Sequence, residues 1–95
     1  MQFEYDPNKS RMNSEKHGID FEEAQELWND EWRLTAKIKR KGEERRLLIA
    51  RYSSSTWTAI YVVRDDAVRI ISVRRSTKEE VRHYDRCRYD YGQRN

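Results

Sequence analysis

Between residues 32 and 75 the chain holds four strand-like segments joined by turns too short for any crossover. In the first, Trp32, Leu34, Ala36 and Ile38 alternate with Arg33, Thr35, Lys37 and Lys39, which predicts a sheet with one wet, basic face. The second, residues 45–52 (RRLLIARY), carries a continuous apolar run, as a central strand covered on both faces does. WTAIYVV at 57–63 and the stretch 68–75 complete the set, with turns near 40–43, 53–56 and 64–66. Turns this short force consecutive strands to pair antiparallel, so an antiparallel meander is expected.

The flanks read as helices. Residues 2–5 alternate as a short strand, and Asp6-Pro7 then offers a cap followed by proline at the first helical position. This helix should reach His17 and stop at Gly18, which suits the left-handed position after a helix. A second helix is expected from Asp20, with Glu23 completing a capping box and Ile19 stapled to Ala24. Its apolar face would hold Phe21, Ala24, Leu27 and Trp28, and Asn29-Asp30 would end it. Ser76 with Glu79 predicts a cap for the last helix, whose buried stripe would use Val81, Tyr84, Cys87 and Tyr91. The expected order is β-α-α-β-β-β-β-α, an α+β domain with helices packed on one small sheet.

Ninety-five residues are enough for one domain, but its core must be thin. Three Trp and six Tyr supply large burial per residue, which argues against disorder. The net charge of +3 conceals a polarity: residues 1–32 balance at −6, residues 33–52 at +6 and residues 69–95 at +4. A basic remainder beside an acidic third suits a polyanion-binding surface, and it equally suits intramolecular charge pairing. A lone cysteine, Cys87, makes an internal disulfide impossible and fits a reducing compartment. With no apolar run of membrane-spanning length and no signal peptide, the chain is expected to be soluble and cytoplasmic.

Two places could carry chemistry. Arg74 and Arg75 end the strand RIISVRR beside the start of the last helix, where free N–H groups and the helix dipole favour an anion. Strict alternation puts Val68, Ile70, Ser72 and Arg74 on one face, and Arg69, Ile71, Val73 and Arg75 on the other. The two arginines therefore should not meet one phosphate; each could instead pair with a carboxylate. On the first helix, Lys9, Asn13, Lys16 and His17 form one stripe, combining phosphate-binding amines, an orienting amide and an imidazole able to move protons near neutral pH. Tyr52, Trp57 and Tyr61, flanked by Arg51 and Arg64, could stack on bases or pack in the core. Metal-ligand spacing, a glycine-rich phosphate loop and a nucleophilic serine motif are all missing. Catalysis is therefore expected to need no metal or cofactor. RNA cleavage by its own 2′-hydroxyl meets that limit, since the protein need only transfer protons and stabilise charge.

The run FEYDPNKSRMNSEKHGIDFEEA resembles the opening of the BrnT family of toxins, matching at Phe3, Tyr5, Asp6, Pro7, Lys9, Asn13, Lys16, His17, Gly18, Phe21, Glu22, Glu23 and Ala24. The later family pattern is similar to Glu44, Arg46, Ile49-Ala50, Arg69 to Arg74 and Glu80 to Tyr84. Ala50, Asp65 and Val73 stand where the family usually has glycine, glycine and alanine. The resemblance implies a RelE-like fold and a translation-halting ribonuclease of a type II toxin–antitoxin system. It also implies a BrnA-type antitoxin with a ribbon-helix-helix DNA-binding domain, a heterotetramer built on an antitoxin dimer, and operon repression by the complex.

The residues and the resemblance together nominate His17 for proton transfer, with Arg74 and Arg64 as its catalytic partners. Lys9, Lys16, Arg51 and Arg75 would hold phosphate, Asn13 would orient the RNA and Tyr52 would stack. The rival is a module without catalysis that binds nucleic acid or an acidic partner through residues 33–52, or that persists only as an antitoxin-binding co-repressor.

Overall fold

The computed structural model describes residues 1–40 and 42–94; Lys41, Asn95 and the side chains of Arg40, Glu43 and residues 91–94 lie outside it. The middle of the turn expected at 40–43 and the expected burial of Tyr91 therefore fall outside the described residues. Strand β1 (Gln2–Glu4) leads into helix α1 (Pro7–His17), a 3-10 segment (Glu23–Asn29), strands β2 (Leu34–Arg40), β3 (Glu43–Tyr52), β4 (Ser55–Arg64) and β5 (Ala67–Arg75), and helix α2 (Lys78–Arg94).

The strands form one sheet in the order β1-β5-β4-β3-β2. Strands β2 to β5 are the expected meander. The sheet is mixed, however, because β1 pairs in parallel with β5, Gln2 to Glu4 against Ala67 to Arg69. A purely antiparallel sheet was the wrong expectation. The intervening chain returns β1 to the far edge, and a return of that length permits parallel pairing.

Local signals explain most elements. The Asp6 side chain accepts from Asn8 N, and Gly18 closes α1 at φ 81. Asp20 Oδ1 accepts from Glu23 N as a cap should, but the segment it opens is 3-10 rather than α. Ile19, Phe21, Ala24 and Leu27 from this region are buried against one sheet face, with Leu48, Ala50, Trp57, Ala59, Tyr61, Val68, Ile70 and Val73 beneath them. Edge-to-face ring pairs Phe3–Trp28 and Trp28–Tyr61, both with centroids 5.1 Å apart, tie β1 and the 3-10 segment to β4.

Two corrections come from the last strand and helix. A β-bulge between Ile60 and Tyr61 pairs Ile60 with Ser72 but Tyr61 with Ile70, leaving Ile71 as an extra residue. Strict alternation breaks there: Ile70 and Val73 both join the core. The cap of α2 is also one residue later than Ser76. Thr77 Oγ1 accepts from Glu80 N while Glu80 Oε1 accepts from Thr77 N, a reciprocal capping box. Ser76 stays with the sheet, donating its N–H to Thr56 O. Along α2, Tyr84 is buried and Val81 half-buried, but Cys87 is exposed and fills no gap in the stripe.

Both β3–β4 and β4–β5 hairpins turn through two residues with positive φ: Ser53 and Ser54 at 52° and 68°, Asp65 and Asp66 at 48° and 66°. This is the geometry of a two-residue mirror-image turn, which glycine adopts without strain at the second position. Ser54→Gly and Asp66→Gly are each expected to raise stability by about 0.5–1 kcal/mol. Urea unfolding midpoints measure it.

Candidate functional site

Strand β1 covers only the first three residues of β5, so the rest of that edge has no neighbouring strand. Helix α1 fills the gap with one side chain. Asn13 Nδ2 donates to Val73 O at 2.9 Å and to Ile19 O at 2.8 Å, while Asn13 Oδ1 accepts from Val73 N at 3.2 Å. The carboxamide thus imitates the missing peptide neighbour. One turn earlier, Ser10 Oγ accepts from Phe21 N at 2.8 Å. Ser10 and Asn13 are both buried, which explains why a helix so polar packs at all. Asn13, expected to orient a substrate, has its amide occupied by backbone.

Docking α1 this way leaves the stripe that contains Asn13 beside an open groove of about 450 Å³. Lys9, Lys16 and His17 line one wall, with Met12 and Glu15 among them, and Ile71 and Ser72 line the other. Neighbouring residues of a regular strand point apart. The bulge at Ile71 lets both face the same groove.

Arg74 follows Ser72 by two positions and is not open to the groove. Its guanidinium makes a two-pronged pair with Glu80, Nη1 to Oε1 at 2.7 Å and Nη2 to Oε2 at 3.0 Å. Glu80 Oε1 also accepts from the Thr58 hydroxyl at 3.0 Å, and Thr58 Oγ1 lies 2.8 Å from Ser76 Oγ. The Arg74 bond, opposed by burial and helped by Thr77 N and Thr58, holds the Glu80 carboxyl down at about 2 from an ordinary 4.5. Arg74 is raised in turn, chiefly by the same bond. Arg75 faces the other way, as expected, and stacks over Trp57 at 5.1 Å. Trp57 Nε1 donates to Tyr52 O.

Asp30 gathers the same end of the sheet. Its Oδ1 accepts from Trp32 N, and its Oδ2 accepts from Arg51 N at 2.8 Å and from the Tyr84 hydroxyl at 2.6 Å. Burial pushes the Asp30 carboxyl up, but the Tyr84, Arg51 and Trp32 donors outweigh it and lower it overall. Burial and then Asp30 push the Tyr84 phenol up to about 12. The exposed Tyr52 hydroxyl donates to Glu23 Oε2 at 2.9 Å, which raises that phenol too.

The nominated residues therefore fall into three places. Lys9, Lys16 and His17 share the α1 groove, with Asn13 beneath them. Arg51, Tyr52, Arg74 and Arg75 share one end of the sheet, Arg74 on the α2 side and Arg75 on the Trp57 side. Arg64 pairs with Ala67 at the opposite end, six residues along β4 from Thr58, the partner of Arg74. At about 3.4 Å per residue, Arg64 and Arg74 are roughly 20 Å apart along the strand, too far to hold one phosphate. Glu80, Thr58, Asp30 and Ser72 escaped sequence reasoning. Thr77-x-x-Glu80 was available as a capping box, whereas nothing in RIIS marks the bulge that turns Ser72 to the groove.

A family model described as ribonuclease toxin, BrnT, of type II toxin–antitoxin system matches residues 5–80. No curated protein matches the chain. Among the described residues no group of three or more His, Cys, Asp or Glu could hold a metal ion, and no helix is long and apolar enough to cross a membrane.

Two outcomes are expected of the contacts that build the site. Asn13→Ala leaves Val73 N–H and two carbonyls unsatisfied and should cost about 2–4 kcal/mol in urea unfolding. Glu80→Gln tests the α2 anchor. The native carboxyl sits below its unfolded value, so its contribution is complete above about pH 4.5 and vanishes as pH falls toward 2. Arg74 keeps over a third of its side chain in water, which screens the pair. The variant should lose about 2 kcal/mol at pH 7, with the deficit closing in acid. A deficit constant down to pH 2 would refute the assignment.

Proposed function

Because the chain belongs to the BrnT family of ribonuclease toxins of type II toxin–antitoxin systems, we propose that it arrests growth by cutting RNA, without a metal, in the groove between α1 and β5. One observation carries this: Lys9, Lys16 and His17 stand on one wall of a groove whose opposite wall offers the Ser72 hydroxyl. In this reaction the 2′-hydroxyl of the RNA attacks the adjacent phosphorus. His17 takes its proton or protonates the departing 5′-oxygen, and Lys9 and Lys16 offset the charge that gathers on the phosphate oxygens.

Arg74, held by Glu80, acts by fixing the start of α2 against β5 rather than by meeting the scissile phosphate. Arg51, Tyr52 and Arg75 suit flanking nucleotides at that end of the sheet. Arg64, at the far turn, can reach only RNA outside the groove. The working context proposed is cytoplasmic, with a RelE-like fold. The neutralising partner is a BrnA-type antitoxin whose ribbon-helix-helix dimer would hold two toxins and repress the operon.

A second function draws support from β2 and the residue before it, where Arg33, Thr35, Lys37 and Lys39 are all exposed. Part of that stripe is neutralised: Glu44 lies 3.6 Å from Lys37 and 3.9 Å from Arg46. A binding module without catalysis would use this surface.

Purified protein incubated with single-stranded RNA in EDTA separates the two. Cleavage leaving a 2′,3′-cyclic phosphate is expected, with His17→Ala slower by about 10²- to 10⁴-fold and equally stable. Undiminished cleavage by the variant would remove His17 from the mechanism. Salt-sensitive binding with no cleavage at any protein excess would favour the binding module.

A further inference from the structure

The two faces of the sheet are unequally covered. Directly paired residues of an antiparallel ladder share a face. The row Leu34–Ile49–Thr58–Arg74 lies beneath α2, whose Glu80 bonds both Thr58 and Arg74, and Ile49 and Thr58 are buried there. The next row on that face, Ala36–Leu47–Ile60–Ser72, has nothing comparable above it: Ala36 is exposed and the other three are half-exposed. None of the four joins the core. The row continues into the α1 groove through Ile71 and ends at Met12, which is 66% exposed. An apolar strip therefore crosses the sheet beside α2.

We propose that this strip is the seat of the antitoxin, and that the segment filling it is an acidic amphipathic helix lying alongside α2. The inference rests on the toxin–antitoxin assignment made above. Two residues along a strand advance about 7 Å, and packed helices lie about 8–10 Å apart, so a helix resting against α2 falls on this second row. Four strands span about 15 Å across, which two to three helical turns match with anchors at i, i+3 or i+4, and i+7.

Charge defines the rest of the occupant. Lys9 and Lys16 border the strip on the α1 side, and Arg69 lies on the same sheet face through its pairing with Val62. Among the described residues beside these three, Glu15 lines the groove and Glu4 lies 4.0 Å from Arg69. With Arg69 met by Glu4, the two lysines beside the single groove carboxylate Glu15 favour a helix with an acidic rim. A second copy of this chain would bring the same cations against them. RNA finds no aromatic ring in the strip on which to stack a base.

Titration calorimetry with the purified product of the adjacent reading frame tests the proposal. Ile60→Glu should weaken binding at least 100-fold while RNA cleavage and the far-ultraviolet spectrum stay as in the wild type. Ala36→Glu, at an exposed edge position, should weaken it as well and serves if Ile60→Glu fails to fold. Lys37→Glu, on the opposite face, should stay within twofold of the wild type. Unchanged affinity in the folded variants overturns the proposal and leaves the ribonuclease assignment intact. A wild-type chain that binds nothing overturns both the proposal and the antitoxin assignment. Binding that Ile60→Glu abolishes, in a chain that cuts no RNA, upholds this surface while the ribonuclease assignment falls. Self-association of the chain alone, lost in Ile60→Glu, overturns the proposal by giving the strip to a second copy.

Discussion

The structure depends on how the free edge of β5 is closed. β1 is three residues long and Pro7 starts α1 soon after it, so no strand backbone continues along that edge. A buried strand with unpaired N–H and C=O groups is costly, and Asn13 removes the cost at Val73 with a single carboxamide. The same amide reaches Ile19 O, and Ser10 reaches Phe21 N. These bonds set where α1 lies, where the chain leaves it, and how Ile19 and Phe21 enter the core. The groove is a consequence: once Asn13 faces β5, Lys9 and Lys16, on the same stripe of α1, border the groove beside that strand.

Charge plays two separate roles. The acidic first third is not simply a flank to a basic surface. Asp30 is spent on the Arg51 and Trp32 amides and the Tyr84 hydroxyl, and Glu23 on Tyr52. Glu80 is likewise spent on Arg74. Two neighbouring arginines thus have different fates because neighbouring strand residues face opposite ways. Arg74 meets α2 and becomes part of the framework, while Arg75 meets Trp57 and remains exposed.

Much of this was legible in the sequence because short-range physics dictates it. The meander follows from short turns, α1 from Asp6, Pro7 and Gly18, and the opposed arginines from period 2. What stayed hidden involves partners far apart in sequence. β1 could pair with either sheet edge, and only the core under Phe3 and Trp28 decides in favour of β5. The bulge at Ile71 leaves no local mark, so the faces of residues 70–73 were misassigned. Asn13 has the composition of a substrate-orienting residue, and nothing in the stripe reveals that Val73, sixty residues away, claims its amide. STKEE offers two capping boxes, Ser76 with Glu79 and Thr77 with Glu80; the structure uses the second, whose Glu80 also meets Arg74 from β5, a partner outside that stretch.

The described elements set three helical segments against one five-stranded sheet. The 3-10 segment and the Ile19–Phe21 approach take one face and form the core with it. α1 is used up on the edge. Among the described elements only α2 remains for the other face, where it covers the row that ends at Arg74, and its residues Asp85 to Asp90 are exposed. The uncovered row and the α1 groove adjoin because no described element lies over either. The described elements thus leave a cationic groove and an apolar strip side by side, the combination that one surface needs to receive a phosphate backbone at one time and an acidic helix at another.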